Sequence, residues 1–218
     1  MNIPQQISIA RGTLFIIAAP SGGGKSSLAQ ALLESTPGLQ LSASYTTRAR
    51  RSGECDAEDY HFVSPEQFAA MCTAGEFLEH ATVFGNRYGT GRNWVEERLN
   101  QGIDVVLAID WQGARALRRL LPESVHIFLL PPSHDVLEQR LRTRSQDSAE
   151  TIAQRMQEAV DQISHYDEFD YLILNDDFDV ALADVQTIIH TQRLRRVAQA
   201  VRLRHLLEDL LAPTPRVE

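Results

Sequence analysis

The chain has 218 residues and a mass of 24.5 kDa, and 43% of it is hydrophobic, which supplies a core for one domain of ordinary to large size and excludes a disordered chain. No apolar run approaches bilayer-spanning length, so an integral membrane protein is excluded, and the opening MNIPQQISIA lacks the basic and apolar blocks of a secretory leader. A net charge of -8 argues against general nucleic-acid affinity, while Cys55 and Cys72, without zinc-like spacing or a disulfide framework, suit a reducing cytoplasm.

The first element is the apolar run 13–19, TLFIIAA, which reads as a strand buried on both faces. Pro20, Ser21 and three glycines break it, and residues 25–34 then read as a helix with Leu28, Leu32 and Leu33 on one stripe. Residues 42–91 have a different texture, rich in Ser, Thr, Arg, Gly and Tyr with short alternating pieces, and predict a small β-containing insert hinged on the main sheet. Apolar runs return at 105–109, 125–130 and 171–174, with helix-like stretches at 92–101, 112–120, 134–144, 148–165 and 178–190. Strands alternating with helices predict a mostly parallel α/β sheet that binds ligands at the C-terminal ends of its strands. From residue 178 onward a long helical tail is expected, ending near Ala212, and its Arg193, Arg195, Arg196, Arg202 and Arg204 read as a solvated or partner-facing surface.

Between the first strand and the first helix lies Ala19-Pro20-Ser21-Gly22-Gly23-Gly24-Lys25-Ser26, close to the phosphate-binding pattern G-x-x-x-x-G-K-[ST], with Ala19 in place of the first glycine. Glycines let backbone N–H groups converge on phosphate oxygens, and the helix adds its positive N-terminal end. Lys25 is the chain's single lysine among twenty arginines. A compact ammonium on a flexible stem can bridge β- and γ-phosphates where a planar guanidinium cannot, and the Ser26 hydroxyl suits Mg²⁺. Asp110, directly after the run 105–109, occupies the place of a metal-positioning acid, although an acid there can also simply start a loop. In the insert, Arg48, Arg50 and Arg51 lie amid hydroxyls and suggest a second phosphate site, since guanidinium forks match phosphate oxygens; a solvated basic loop is the alternative.

The segments APSGGGKSS, SYTTRARRSGE, DYHFV, GEFLEHA, YGT, IDWQG, PPS and NDD follow one another in order across residues 12–195, and together they resemble guanylate kinase. The resemblance implies a P-loop core over 12–41 and 92–195 with a parallel sheet, a mixed α/β GMP-binding insert over 42–91, a helical lid about 134–155, and a helical extension over 196–218. It implies an enzyme that phosphorylates GMP, and also dGMP, from ATP with Mg²⁺. Two alternatives are another nucleoside monophosphate kinase and a phosphopeptide-binding module that has lost catalysis.

By motif position, the resemblance assigns ATP to Ala19, Pro20, Ser21, Gly22, Gly23, Gly24, Lys25, Ser26, Ser27 and Asn175, the last at the adenine pocket. It assigns GMP to Ser44, Arg48, Arg51, Tyr60, Glu79, Tyr88, Gly89 and Thr90, with the phosphate on Arg48, Arg51, Tyr60 and Tyr88. Glu79 has a chemical reason to be there: guanine presents adjacent N1–H and N2 amine donors, which one carboxylate accepts together, whereas adenine presents a lone pair at N1. Ser44 and Thr90 hydroxyls are expected to serve O6 and N7. Ser26 and Asp110 are the expected metal positions. Lys25, Arg48, Arg51, Arg140, Arg144 and Arg155 are the expected catalytic cations; Arg140 and Arg144 share a helix face, and Ser148 is the predicted N-cap of the helix carrying Arg155. Such arginines would close over the triphosphate and exclude water. The chain departs from the family at Ala108, where an aspartate is usual, at Ala57 and Ser145, where glycines are usual, and at Ala49-Arg50, where x-Pro is usual. Loss of the carboxylate at Ala108 is expected to reduce guanine affinity or rate, and the other three to change loop stiffness. The expected partners are the two nucleotides, with no nucleic acid or membrane, and the C-terminal helix is a candidate surface for a homo-oligomer.

Overall fold

Five consecutive fully buried residues, Leu14–Ala18, form β1, and the chain then turns through the glycine-rich loop into α1 (Lys25–Ser35). The structure is a computed structural model that describes residues 10–51, 53–83, 85–144 and 149–212, with Arg144, Ala149 and Thr151 described as backbone only. Ser145 and the predicted cap Ser148 lie outside the described residues. After α1 come β2 (Leu39–Leu41), β3 (Ser44–Thr46), β4 (Tyr60–Phe62), α2 (Pro65–Thr73), β5 (Phe77–Val83) and β6 (Asn86–Gly91). α2 starts by rule: Ser64 accepts from the Gln67 N–H, the Gln67 side chain accepts from the Ser64 N–H, and Pro65 fills the first turn. α3 (Arg92–Asn100), β7 (Asp104–Ala108), α4 (Trp111–Leu120) and β8 (Val125–Leu130) follow, then α5 (His134–Arg144), α6 (Ala149–Ile163), β9 (Tyr171–Leu174) and α7 (Phe178–Arg193).

One sheet runs β2-β7-β1-β8-β9 with all described pairings parallel, and a second runs β4-β3-β6-β5. Alternate residues of β1 serve opposite layers, as a pleated strand requires. Phe15 and Ile17 pack with Leu28 and Leu32 of α1 and Val185 and Ile189 of α7, while Leu14 and Ile16 pack with Val95 and Leu99 of α3 and Ala114 and Leu117 of α4. Burying each such side chain contributes about 2–3 kcal/mol, so this two-faced strand fixes the sheet from which the glycine loop emerges. From β1 the chain moves to β2 on one side, and from β7 it crosses to β8 on the other. The crevice beyond the C-terminal ends of β1 and β7 is therefore the topological switch point.

The helical tail expected from residue 178 is divided into three helices. α7 ends at Arg193, Arg195 is extended (φ −58°, ψ 139°), and two short helices follow, α8 (Arg196–Arg202) and α9 (Arg204–Leu211). The extended ψ at Arg195 interrupts the i→i−4 ladder, and no Gly or Pro between 178 and 212 announces it. Leu206, Leu210 and Leu211 of α9 are exposed. Among the described residues no helix is long and apolar enough to cross a membrane.

Candidate active site

The loop between β1 and α1 has the shape a phosphate cradle needs. Gly22 and Gly24 have φ of 84° and 94°, in the left-handed region that favours glycine, and a Cβ on Gly24 would overlap the Asn175 amide. Lys25 opens α1 and reaches across the crevice, its Nζ donating to the Ile109 carbonyl at 2.9 Å. Ser26 is exposed in the first helical turn. Asn175 is only 3% exposed and donates its Nδ2 to the Gly23 carbonyl at 2.8 Å, so its amide nitrogen supports the loop.

Beside this loop lies a cavity of about 590 Å³ lined by Gly22, Gly24, Ser27, Arg140, Asn175 and Phe178, among others. Arg140 donates from one guanidinium nitrogen to the Asn175 carbonyl at 3.0 Å, and its other terminal nitrogen is buried without a hydrogen-bond partner among the described residues. A buried, unsatisfied cationic donor against a glycine-rich loop matches the chemistry of an anion. Arg155 lies half-buried on α6; the side chain of Arg144 falls outside the described atoms.

Across the crevice, β5 brings Glu79 to the start of α4. Glu79 faces Thr90 in the β5–β6 register, and the Thr90 hydroxyl donates to Oε1 at 2.5 Å. The other oxygen, Oε2, lies against Gly113, where an added Cβ would come within 2.6 Å. Gly113 in turn donates its N–H to Asp110 at 2.9 Å, which makes Asp110 the N-cap of α4. Glu79 is 7% exposed, and burial pushes its carboxyl up to about 7; Asp110 pushes in the same direction, while Thr90 and Lys25 pull back. Burial also raises Asp110, against the Gly113 N–H and Lys25. The Thr90 hydroxyl proton is directed at Glu79, so Thr90 holds this carboxylate in place. Gly89 lies between Tyr88 and Thr90 on the opposite face of the strand, where an added Cβ would meet Phe68 and Phe77.

Two cations of the insert, Arg48 and Arg51, gather around Glu54. Arg48 donates to Glu54 at 2.7 Å and lies 5.2 Å from the Tyr60 ring centre, and Tyr60 and Tyr88 meet edge-on at 6.0 Å. Burial alone would lower Arg48, but the Glu54 hydrogen bond and charge, with Tyr88, hold it above its usual value. Burial raises the Tyr60 phenol. Arg51 is exposed, and its N–H donates to the second Glu54 oxygen at 2.8 Å. Ser44 begins β3 opposite Tyr60. Glu54 is the organiser that sequence reasoning missed: it stands six residues from Arg48 in an irregular loop, where no periodicity marks it. Gln162, which bonds the Ser21 N–H from α6 at 2.8 Å, was missed for a different reason, 141 residues of separation.

A hydroxyl at Ser26 and a carboxylate at Asp110 are hard oxygen donors of the kind Mg²⁺ takes, while it keeps several waters and phosphate oxygens. Among the described residues no group of three His, Cys, Asp or Glu could cage a metal, so these two donors fit an ion carried mainly by phosphates.

Residues 11–192 match the family model described as guanylate kinase. Guanylate kinases of Vibrio parahaemolyticus and Vibrio cholerae are 54% and 55% identical to this chain over 206 residues, covering 94% of it and 100% of each relative. The crystal structure of guanylate kinase from Anaplasma phagocytophilum superposes with a TM-score of 0.78 at 33% identity, covering 94% of this chain and 98% of that one.

Proposed function

This chain belongs to the guanylate kinase family and phosphorylates GMP from ATP, and from that premise we propose how its residues divide the reaction. The observation that carries the reading is Glu79, a buried carboxylate aimed by Thr90 and Gly113 within electrostatic reach of Lys25 and Asp110. It accepts the guanine N1–H and N2 amine together, which requires its ionised form. Arg48, Arg51, Tyr60 and Tyr88 hold the GMP phosphate, with Glu54 fixing the fork of Arg48. Ser44 borders the base. Because this set makes no demand on the 2′-hydroxyl, dGMP is also a substrate.

The backbone N–H groups of residues 22–26 hold the ATP phosphates, with Lys25 on the β- and γ-phosphates, and Asn175 keeps the loop in shape beside the donor nucleotide. Ser26 and Asp110 would hold Mg²⁺, directly or through water, and the ion neutralises phosphate charge when bound. A GMP phosphate oxygen attacks the γ-phosphorus in line; a new P–O bond forms as the bond to the β-phosphate's bridging oxygen breaks, and ADP departs. No protein nucleophile is needed. Arg140, Arg144 and Arg155 spread over the equatorial oxygens, where arginines in comparable roles contribute roughly 10³–10⁵ in rate. The functional units are the core (12–41 and 92–195), the GMP insert (42–91), the lid (134–155) and the extension (196–218). The exposed leucines of α9 support a homo-oligomer formed through the extension, and the protein works in the cytoplasm on free nucleotides.

A coupled ADP-release assay across GMP, dGMP, AMP, UMP and dTMP tests the base reading. GMP and dGMP should exceed the others in kcat/KM by roughly 10⁴; comparable turnover of AMP would refute the role of Glu79.

A further inference from the structure

The glycine loop is gripped from outside by the two helices that carry the lid arginines. An added Cβ on Gly22 would meet Leu137 and Leu141 of α5 at 3.1 Å, so that side of the loop packs directly on α5. One residue earlier, the Ser21 N–H donates to Gln162 Oε1 of α6 at 2.8 Å. Seven residues separate Arg155 from Gln162. In an α-helix that spacing is two turns, about 10 Å along the axis and roughly 20° in rotation, so the two share a face. Ile152 and Ala159, at 5% and 0% exposure, lie on the same stripe and bury it.

The geometry points to Gln162 as a positioning residue that pins α6 to the phosphate loop and thereby sets the rotation at which Arg155 is presented. Apolar contacts at Ile152 and Ala159 hold the stripe inward but tolerate rotation and sliding. A hydrogen bond to one backbone N–H does not, because it loses strength steeply with distance and angle. Ser21 precedes the N–H groups assigned to the ATP phosphates, so Gln162 can keep its partner while the nucleotide is bound. The C-terminal end of α6, where Gln162 lies, has a second anchor: His165, three residues beyond Gln162, stacks on Trp111 at 3.5 Å, and Arg115 pairs with Glu168. Removing the Gln162 bond therefore frees the rotation of α6 without detaching it. The inference rests on the proposed role of Arg155 at the transferring phosphoryl group.

A double-mutant cycle in the full chain, with kcat and both KM values measured at saturating partner substrate, tests it. Gln162→Met removes the acceptor and keeps the volume; kcat should fall on the order of tenfold, the worth of one hydrogen bond, with KM for GMP within about twofold. Gln162→Glu restores an acceptor and should recover most of that kcat at saturating ATP. Arg155→Ala should fall by about 10² or more, and adding Gln162→Met to it should cost less than about twofold further, because the second change acts through the first. A Gln162→Met kcat within twofold of wild type, no recovery in Gln162→Glu, or fully multiplicative losses would each overturn the inference while leaving the role of Arg155 intact. Wild-type turnover by Arg155→Ala would overturn the reading of Arg155, and this inference with it.

Discussion

Replacing Glu79 by glutamine should make the ligand-free protein more stable while destroying its specificity. The folded state holds the Glu79 proton up to about pH 7, against an ordinary 4.5, because burial penalises the charge. The folded protein thus binds this proton more tightly than the unfolded chain does. Its contribution to stability is present below about pH 4.5 and is lost as pH rises from there through 7. At roughly 1.4 kcal/mol per tenfold in proton affinity, burying this carboxyl costs on the order of 3 kcal/mol at pH 8, mostly as ionised carboxylate, and about 1 kcal/mol at pH 5, as the proton it must take up. Glutamine keeps the shape without the charge. In a protein of this size, relief of that cost raises Tm by roughly 6–12 °C at pH 8, and by roughly 2–4 °C at pH 5. Thermal melts of both proteins from pH 5 to 8, without nucleotide, read the difference directly. The amide opposes one guanine donor with a donor of its own, so kcat/KM for GMP should fall by roughly 10² or more. An equal or lower Tm for Glu79→Gln at pH 8 would refute the picture of a strained, buried base reader.

Other residues give sharper local tests. Lys25→Ala should cost at least about 10² in kcat, and Lys25→Arg should not rescue it, because the fork cannot follow the ammonium into the cradle; a loss under tenfold in steady-state assays would contradict the cradle role. Glu54→Ala should raise KM for GMP about tenfold with a smaller change in kcat, because Arg48 and the Arg51 backbone lose a shared charged acceptor. A fall in that KM would show that Glu54 competes with GMP instead of preparing its site. Ala57 holds φ 66°, the only non-glycine at positive φ among the described residues, where a β-carbon costs roughly 1–2 kcal/mol. Ala57→Gly should therefore stabilise the protein by about 1 kcal/mol in urea titration, after the greater freedom of glycine in the unfolded chain; destabilisation would show that the turn is unstrained.

What the sequence revealed depended on how local the cause was. The cradle is legible because strand, glycines, Lys25 and helix are contiguous, and the insert's cations because Arg48 and Arg51 stand three residues apart. Glu79 could be named from guanine chemistry and the resemblance, but its setting could not. Thr90 reaches it through the register of a hairpin, and Gly113 through the docking of β5 on α4. Neither leaves a trace in composition or periodicity. One strand presents alternate residues to opposite faces, so Thr90 meets Glu79 while Gly89 faces Phe68 and Phe77, and a motif read as a string does not say which face is which. The breaks after α7 have no Gly or Pro to mark them, and Gln162 meets Ser21 only once the whole sheet has formed.

Two anion-binding sites, the cradle around Lys25 and the pocket around Glu79 and Arg48, face each other closely enough for one phosphoryl group to pass between them. Adenosine and guanosine joined by five phosphates through their 5′ oxygens span both sites in one molecule. This compound should bind one per chain and inhibit competitively against ATP and against GMP alike. Competition with only one substrate, or binding of two molecules per chain, would contradict it.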